Sequence, residues 1–186
     1  AEDAGTMKRS AIALGMLLCA FGCRAEVSVR DDSGQQVTLA APATRVVSLA
    51  PHLTEMAFAV GAGSAVKAVI RFSDHPAAAV ALPIVGDAFA LDFEAIARLQ
   101  PDLVLVWGSG LDERHKARLR SLGLPVYESE IRHAAAIPAT LRRLGTLLGC
   151  AEMIRSGGTT FADMYSSATP RPGSRPITRP SFFVPS

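Results

Sequence analysis

The sequence predicts an α/β fold, a three-layer αβα lobe built on a mostly parallel sheet. Three observations carry this. From Arg45 onward, short apolar runs alternate with stretches of helical periodicity. The apolar runs are continuous, as strands covered on both faces require. Glycine or proline closes nearly every segment. At 186 residues, 49% of them hydrophobic, the chain is long enough for one domain with a full core and short for two.

The N-terminus stands apart from this pattern. Residues 1–6 read as an upstream extension, and Met7-Lys8-Arg9 is a short basic start before an unbroken small and apolar run, Ala11 to Phe21. Cys23-Arg24-Ala25 follows, with small residues where a signal peptidase cuts, so residues 1–25 are expected to be the extension plus a secretory signal. The run is shorter than the roughly 20 residues a membrane span needs. A second reading makes Cys23 a lipid-anchored first residue. Losing residues 1–25 removes Lys8, Arg9, Arg24, Glu2 and Asp3, so the balance falls from 19 basic and 17 acidic residues to 16 and 15. No basic stripe remains, and no nucleic-acid partner is expected. Of the three cysteines, only Cys150 lies beyond the signal, which excludes an internal disulfide in the mature chain.

Residues 26–44 are a hairpin and connector. Val27 to Arg30 and Gln36 to Leu39 alternate on either side of an Asp31-Asp32-Ser33-Gly34 turn. Residues 45–150 form the lobe. Val46 to Leu49 predicts a buried strand and Thr54 to Val60 a helix closed by Gly61. Val66 to Ile70 is the next strand, and Ile84-Val85 a short one ending at Gly86. Asp92 suits an N-cap, because its carboxylate accepts a free backbone N–H at the start of the helix that Pro101 stops. Leu103 to Trp107 is the strongest strand. A helix from Asp112 to Leu122 ends at Gly123, a strand spans Leu124 to Tyr127, and Ile137, Leu141, Leu144 and Leu148 recur at helical spacing to about Gly149. Residues 151–168 predict part of a further helix, weakened by Gly157-Gly158. Residues 169–186, with five prolines after Thr169, predict a disordered tail.

Several stretches, in order, carry a resemblance: Arg45-Val46-Val47-Ser48-Leu49-Ala50-Pro51-His52-Leu53-Thr54-Glu55, Phe72-Ser73-Asp74-His75-Pro76, Val85-Gly86-Asp87, Pro101 to Trp107, and Leu119 to Gly123. Together they resemble the N-terminal lobe of the cobalamin-binding periplasmic proteins, in the group that also binds siderophores and haem. The resemblance implies two α/β lobes joined by a long helix with ligand held between them. It also implies delivery to the permease of an ABC importer, a monomer, a periplasmic location and no catalysis. Cobalamin is then the transported ligand and no cofactor is expected. Only the first lobe and part of the joining helix match, so the chain is expected to be truncated.

The same resemblance supplies site expectations. Trp107, at the carboxyl edge of its strand, matches a cleft tryptophan, although a tryptophan capping the core fits the sequence equally well. Phe72 stands where the family often has tyrosine, and Phe89 where it has a tryptophan. His52, in the first strand-to-helix turn, and Asp74 are further candidates for ligand contact, with a surface histidine and ordinary turn chemistry as their alternatives. Glu94 matches the acidic residue that the family offers to permease arginines; a glutamate favoured at a helix start is the alternative. Two weaker signals fall outside the resemblance. Asp112 and His115 share a helix face, a possible start for a metal site. Gly108-Ser109-Gly110 follows a strand as phosphate loops do, without the lysine of such loops. Arg71 and Arg132 are the cations available to an anionic siderophore or haem. A nucleotide-using α/β enzyme is the remote alternative, and neither nucleophile, base nor phosphate loop stands in register for it.

Overall fold

The computed structural model describes residues 26–150. The expected signal segment, Cys23, the helix at 151–168 and the tail at 169–186 lie outside the described residues. Four strands, β3 (Val46–Ser48), β4 (Val66–Val69), β5 (Leu103–Trp107) and β6 (Val126–Ser129), pair in the order β4-β3-β5-β6, every pair parallel. The hairpin β1 (Val27–Arg30) and β2 (Gln36–Leu39) forms a separate antiparallel pair, with Val29 opposite Val37. The helices are α1 (Pro51–Ala59), α2 (Phe93–Arg98), α3 (Glu113–Ser121) and α4 (Ile137–Leu147).

Both faces of the sheet are covered, as continuous apolar strands demand. Leu103 and Leu105 of β5 point to one side, where they meet Leu53 and Ala57 of α1, Leu144 and Leu147 of α4, and the hairpin's Val29 and Val37. Val104 and Val106 point to the other, against Ile96 of α2 and Leu119 of α3. The three-layer expectation therefore holds, with the hairpin added to the α1–α4 layer.

Several boundaries differ from the sequence reading, three of them for a local physical reason. Helix α1 starts at Pro51, three residues earlier than expected, because proline's fixed φ and missing N–H suit the first turn. Ile84-Val85 makes a single bridge to Val69 in place of a strand. Pro83 offers only its carbonyl there, and Gly86, at φ 132°, turns the chain into a bridge with Leu91. Strand β6 begins two residues late, since Pro125 lacks the N–H that a ladder residue donates. Asp92 caps α2 as expected, accepting the Ala95 N–H at 2.8 Å.

The hairpin turn does more than reverse the chain. Strand β6 is an edge strand whose outer backbone groups need partners. Asp31, 4% exposed, accepts the Glu128 N–H at 3.3 Å, and the Asp32 N–H donates to the Glu128 carbonyl at 3.0 Å. The Asp32 carboxylate accepts the Glu130 N–H at 2.7 Å and takes the Arg143 guanidinium of α4 at 2.6 Å. One dipeptide thus ties hairpin, edge strand and α4 together. The donors to Asp32 are partly exposed, so each lost bond contributes about 0.5–1.5 kcal/mol rather than a full burial penalty. The expected outcome for Asp32→Ala is a destabilisation of about 1 kcal/mol with faster hydrogen exchange at the Glu130 amide; a denaturant melt and amide exchange measure both.

Candidate functional site at the carboxyl edge of the sheet

In a parallel sheet every strand ends at the same edge, so the loops that follow β3, β4, β5 and β6 converge there. Each carries a residue that the sequence singled out. His52 sits in the first turn of α1, after β3. Phe72 follows β4, Trp107 ends β5, and Glu130 and Arg132 follow β6. Because β3 separates β4 from β5, the strands leading to Phe72 and Trp107 are roughly 10 Å apart. The two residues therefore sit on neighbouring loops at one sheet edge.

Trp107 is not a capping core residue: it is 40% exposed, while the four residues before it in β5 are fully buried. Its ring meets His52 edge-to-face, with centroids 5.5 Å apart and planes at 89°. Gly110 makes room for it. A Cβ on Gly110 would lie 1.9 Å from the indole Cε3, so any side chain there displaces the ring. His52 is half-buried, and burial pushes its pKa below the ordinary 6.5, opposed by the negative charges of Glu55 and Glu130.

Phe72 is 73% exposed and holds φ 69°, the left-handed region that bulky residues avoid. It sits in a turn closed by the Ser73 N–H on the Ile70 carbonyl at 3.3 Å, at the position where glycine is usual. The turn is anchored from below. Ser73 approaches Thr54 Oγ1 at 3.4 Å, and Thr54 donates to Ser48 at 2.9 Å in a fully buried hydroxyl chain. Phe89, 91% exposed, rides a neighbouring loop. Asp87 shapes that loop by accepting the Phe89 and Ala90 N–H groups, both at 3.0 Å, and those bonds hold its carboxyl below the usual range. The Arg71 N–H on the Gly86 carbonyl joins the Phe72 and Phe89 loops. Asp74 is exposed beside Phe72.

Glu94 stands apart, in the first turn of α2 with its side chain 92% exposed and only a long, 3.9 Å contact to Arg98. Such a surface pair contributes little, so the carboxylate is available.

The two weaker sequence signals resolve into other roles. Asp112 caps α3 through the Arg114 N–H at 2.8 Å and pairs with the Arg114 guanidinium, while His115 packs its ring against Phe93. Among the described residues, no group of three or more His, Cys, Asp or Glu is placed to hold a metal. At Gly108-Ser109-Gly110 the anion position is taken by the protein itself: the Ser109 N–H and hydroxyl donate to the Glu130 carboxylate at 2.8 and 3.1 Å. Partial burial works against that charge, but these bonds and nearby Arg132 outweigh it and hold Glu130 below the usual carboxyl range. A phosphate would meet carboxylates here.

Sequence reasoning missed Glu128 and Glu130, because it ended β6 at Tyr127 and left both acids in a loop. The alternation Tyr127-Glu128-Ser129-Glu130 was the available signal. A groove of about 360 Å³ lies away from these residues, between β2 and the start of β6, bordered by Gln36, Thr38, Arg120 and Leu124.

The described residues form a single α/β lobe with exposed aromatic residues on loops at the carboxyl edge of its parallel sheet. The profile of the periplasmic binding protein family matches residues 46–171, and the chain belongs to that family. The vitamin B12-binding protein of Vibrio cholerae is 42% identical over 91 residues, covering 49% of this chain and 33% of that protein. The vitamin B12-binding protein of Yersinia pestis is 34% identical over 136 residues, 69% of this chain and 49% of that protein. Among solved structures, the periplasmic vitamin B12 binding protein of Vibrio cholerae superposes with TM-score 0.52 at 34% identity, covering 68% of this chain and 52% of that one. A periplasmic heme binding protein from Pseudomonas aeruginosa gives 0.58 at 25% identity, covering 67% and 45%. The chain thus spans about a third to a half of the length of the curated relatives it matches.

Two outcomes follow. The unfolded chain takes up the His52 proton at higher pH than the folded one. The stability linked to His52 is therefore full above 6.5 and is lost as the pH falls below it. Emission of Trp107, the one tryptophan in the chain, is expected to titrate with a midpoint below 6.5, and His52→Gln to abolish that step; a midpoint at or above 6.5 contradicts the burial argument. For Phe72→Gly, relief of about 1 kcal/mol of left-handed strain offsets the glycine's entropy. A chemical melt is expected to place this variant within about 1 kcal/mol of the parent, despite loss of a whole ring.

Proposed function

We propose that this chain is the first lobe of the solute-binding component of an ABC importer, which captures cobalamin or a similar large ligand in the periplasm and hands it to a membrane permease. The observation that carries the reading is the aromatic mouth: Trp107, Phe72 and Phe89 hold rings at 40%, 73% and 91% exposure on loops braced from beneath. A soluble lobe gains nothing from three exposed rings unless something covers them. Flat macrocycles are held by such walls, since burial supplies most of their binding energy, while His52 and Asp74 offer polar contacts at the rim. The identity to vitamin B12-binding proteins, at 42% and 34%, supports cobalamin as the first candidate.

Glu94 is the proposed docking contact. Its exposed carboxylate, in the first turn of α2, is available to permease arginines. Opposite charges at such a contact set register and encounter rate more than affinity.

Haem or a siderophore is the second reading, favoured by the heme-binding neighbour at TM-score 0.58. Arg132 pairs with Glu130 at 3.4 Å, which leaves Arg71 as the cation at the mouth without an ion pair among the described residues. One free cation suits a dianionic porphyrin less well than it suits cobalamin.

Calorimetric titration of the purified chain with cyanocobalamin and, separately, haemin tests both readings. Cobalamin binding that Trp107→Ala weakens roughly tenfold, about 1.4 kcal/mol, is the expected result. Preference for haemin selects the second reading, and unaltered affinity in Trp107→Ala removes Trp107 from the site. Restored to a two-lobed protein, Glu94→Lys is expected to impair uptake into cells while leaving ligand affinity unchanged; normal uptake defeats the docking assignment.

A further inference from the structure

A ring of charges packs against the loop that follows Trp107. Lys116 of α3 is only 5% exposed, although lysine seldom enters a core without partners. Its ammonium has three N–H donors and three acceptors: the Gly108 carbonyl at 3.0 Å, Glu128 Oε1 at 3.0 Å and Glu113 Oε2 at 2.8 Å. Arg120 closes the ring, reaching the second oxygens of Glu113 and Glu128, both at 3.2 Å. Two cations and two carboxylates balance, which is the condition under which buried charge is tolerated. Burial alone lowers a lysine pKa, yet the bonds from Glu113 and Glu128 outweigh it and raise this one, so the ammonium stays charged at neutral pH.

The contact that matters is the carbonyl. Gly108 directly follows Trp107, and its backbone is held at both ends, the N–H by the Ser129 carbonyl at 2.9 Å and the C=O by Lys116. Glycine at 108 lets both carboxylates close in on the backbone. A Cβ there would lie 2.9 Å from both Glu128 Oε1 and Glu130 Oε2. The Leu111 N–H then returns to the Trp107 carbonyl at 3.1 Å, which folds Gly110 beneath the indole.

We propose that Lys116 is the positioning residue of the Trp107–Leu111 loop, its buried ammonium fixing the Gly108 carbonyl and with it the angle at which the indole faces the mouth. The functional weight of this assignment rests on the reading of Trp107 as a ligand contact, but its test does not. Emission of the one tryptophan reports the loop in the purified chain without ligand. For Lys116→Met the expected result is a red shift in emission and a rise of roughly twofold in iodide quenching, near the ceiling for a ring already 40% exposed, with the far-ultraviolet circular dichroism unchanged. Should that variant fail to fold, Lys116→Met with Glu128→Leu removes both members of the buried pair and leaves no orphaned carboxylate, and the same shift is expected. Parental emission and quenching in a folded variant lacking Lys116 would overturn the proposal. The Trp107→Ala titration judges the ligand role separately, so failure of one assignment is not mistaken for failure of the other.

Discussion

The pairing of β5 between β3 and β6 is the constraint on which the rest of the molecule depends. Its residues from Leu103 to Val106 are fully buried, alternately against the α1–α4 layer and the α2–α3 layer. Parallel neighbours require crossover helices, which cover both faces of the strand and return every strand end to one edge. The convergence of His52, Phe72, Trp107 and Glu130 is therefore a consequence of how the core is covered.

Convergence by itself would leave flexible loops. Each loop here is tied down from the protein side, by a different chemistry. Hydroxyls do it beneath Phe72, where Ser48, Thr54 and Ser73 form a buried chain. A carboxylate turn does it at Phe89, through Asp87. Charges do it at Trp107, through Lys116 and Glu130. The polar groups are spent inward, and the apolar rings are left outward. That division suits the proposed ligand-binding wall, since a preorganised wall loses less entropy when ligand arrives.

The hairpin has a matching role at the sheet's open side. An exposed edge strand invites pairing with other chains, and Asp31 and Asp32 occupy the outer backbone groups of β6 while Arg143 neutralises one of them. The same contacts hold Glu130 in register, so the stability of the edge and the placement of Ser109 are linked through a single strand end.

Apart from the short run at Ile84-Val85, the sequence alone determined the order and type of the elements, because apolar runs, caps and breakers are local signals. Val46, Val104 and Asp92 needed no distant partner to be read correctly. It also marked Trp107, Phe72 and Glu94, through motifs in order along the chain. Only the tertiary structure decided what surrounds them. That Trp107 is exposed and meets His52, that Gly108 closes on two carboxylates and not on a phosphate, and that Lys116 is buried all depend on residues 8 to 55 positions apart meeting across the sheet edge. Long-range pairing leaves no periodicity in the chain, so charged residues such as Lys116, Glu128 and Glu130 look like solvated surface until the strands that carry them are brought side by side.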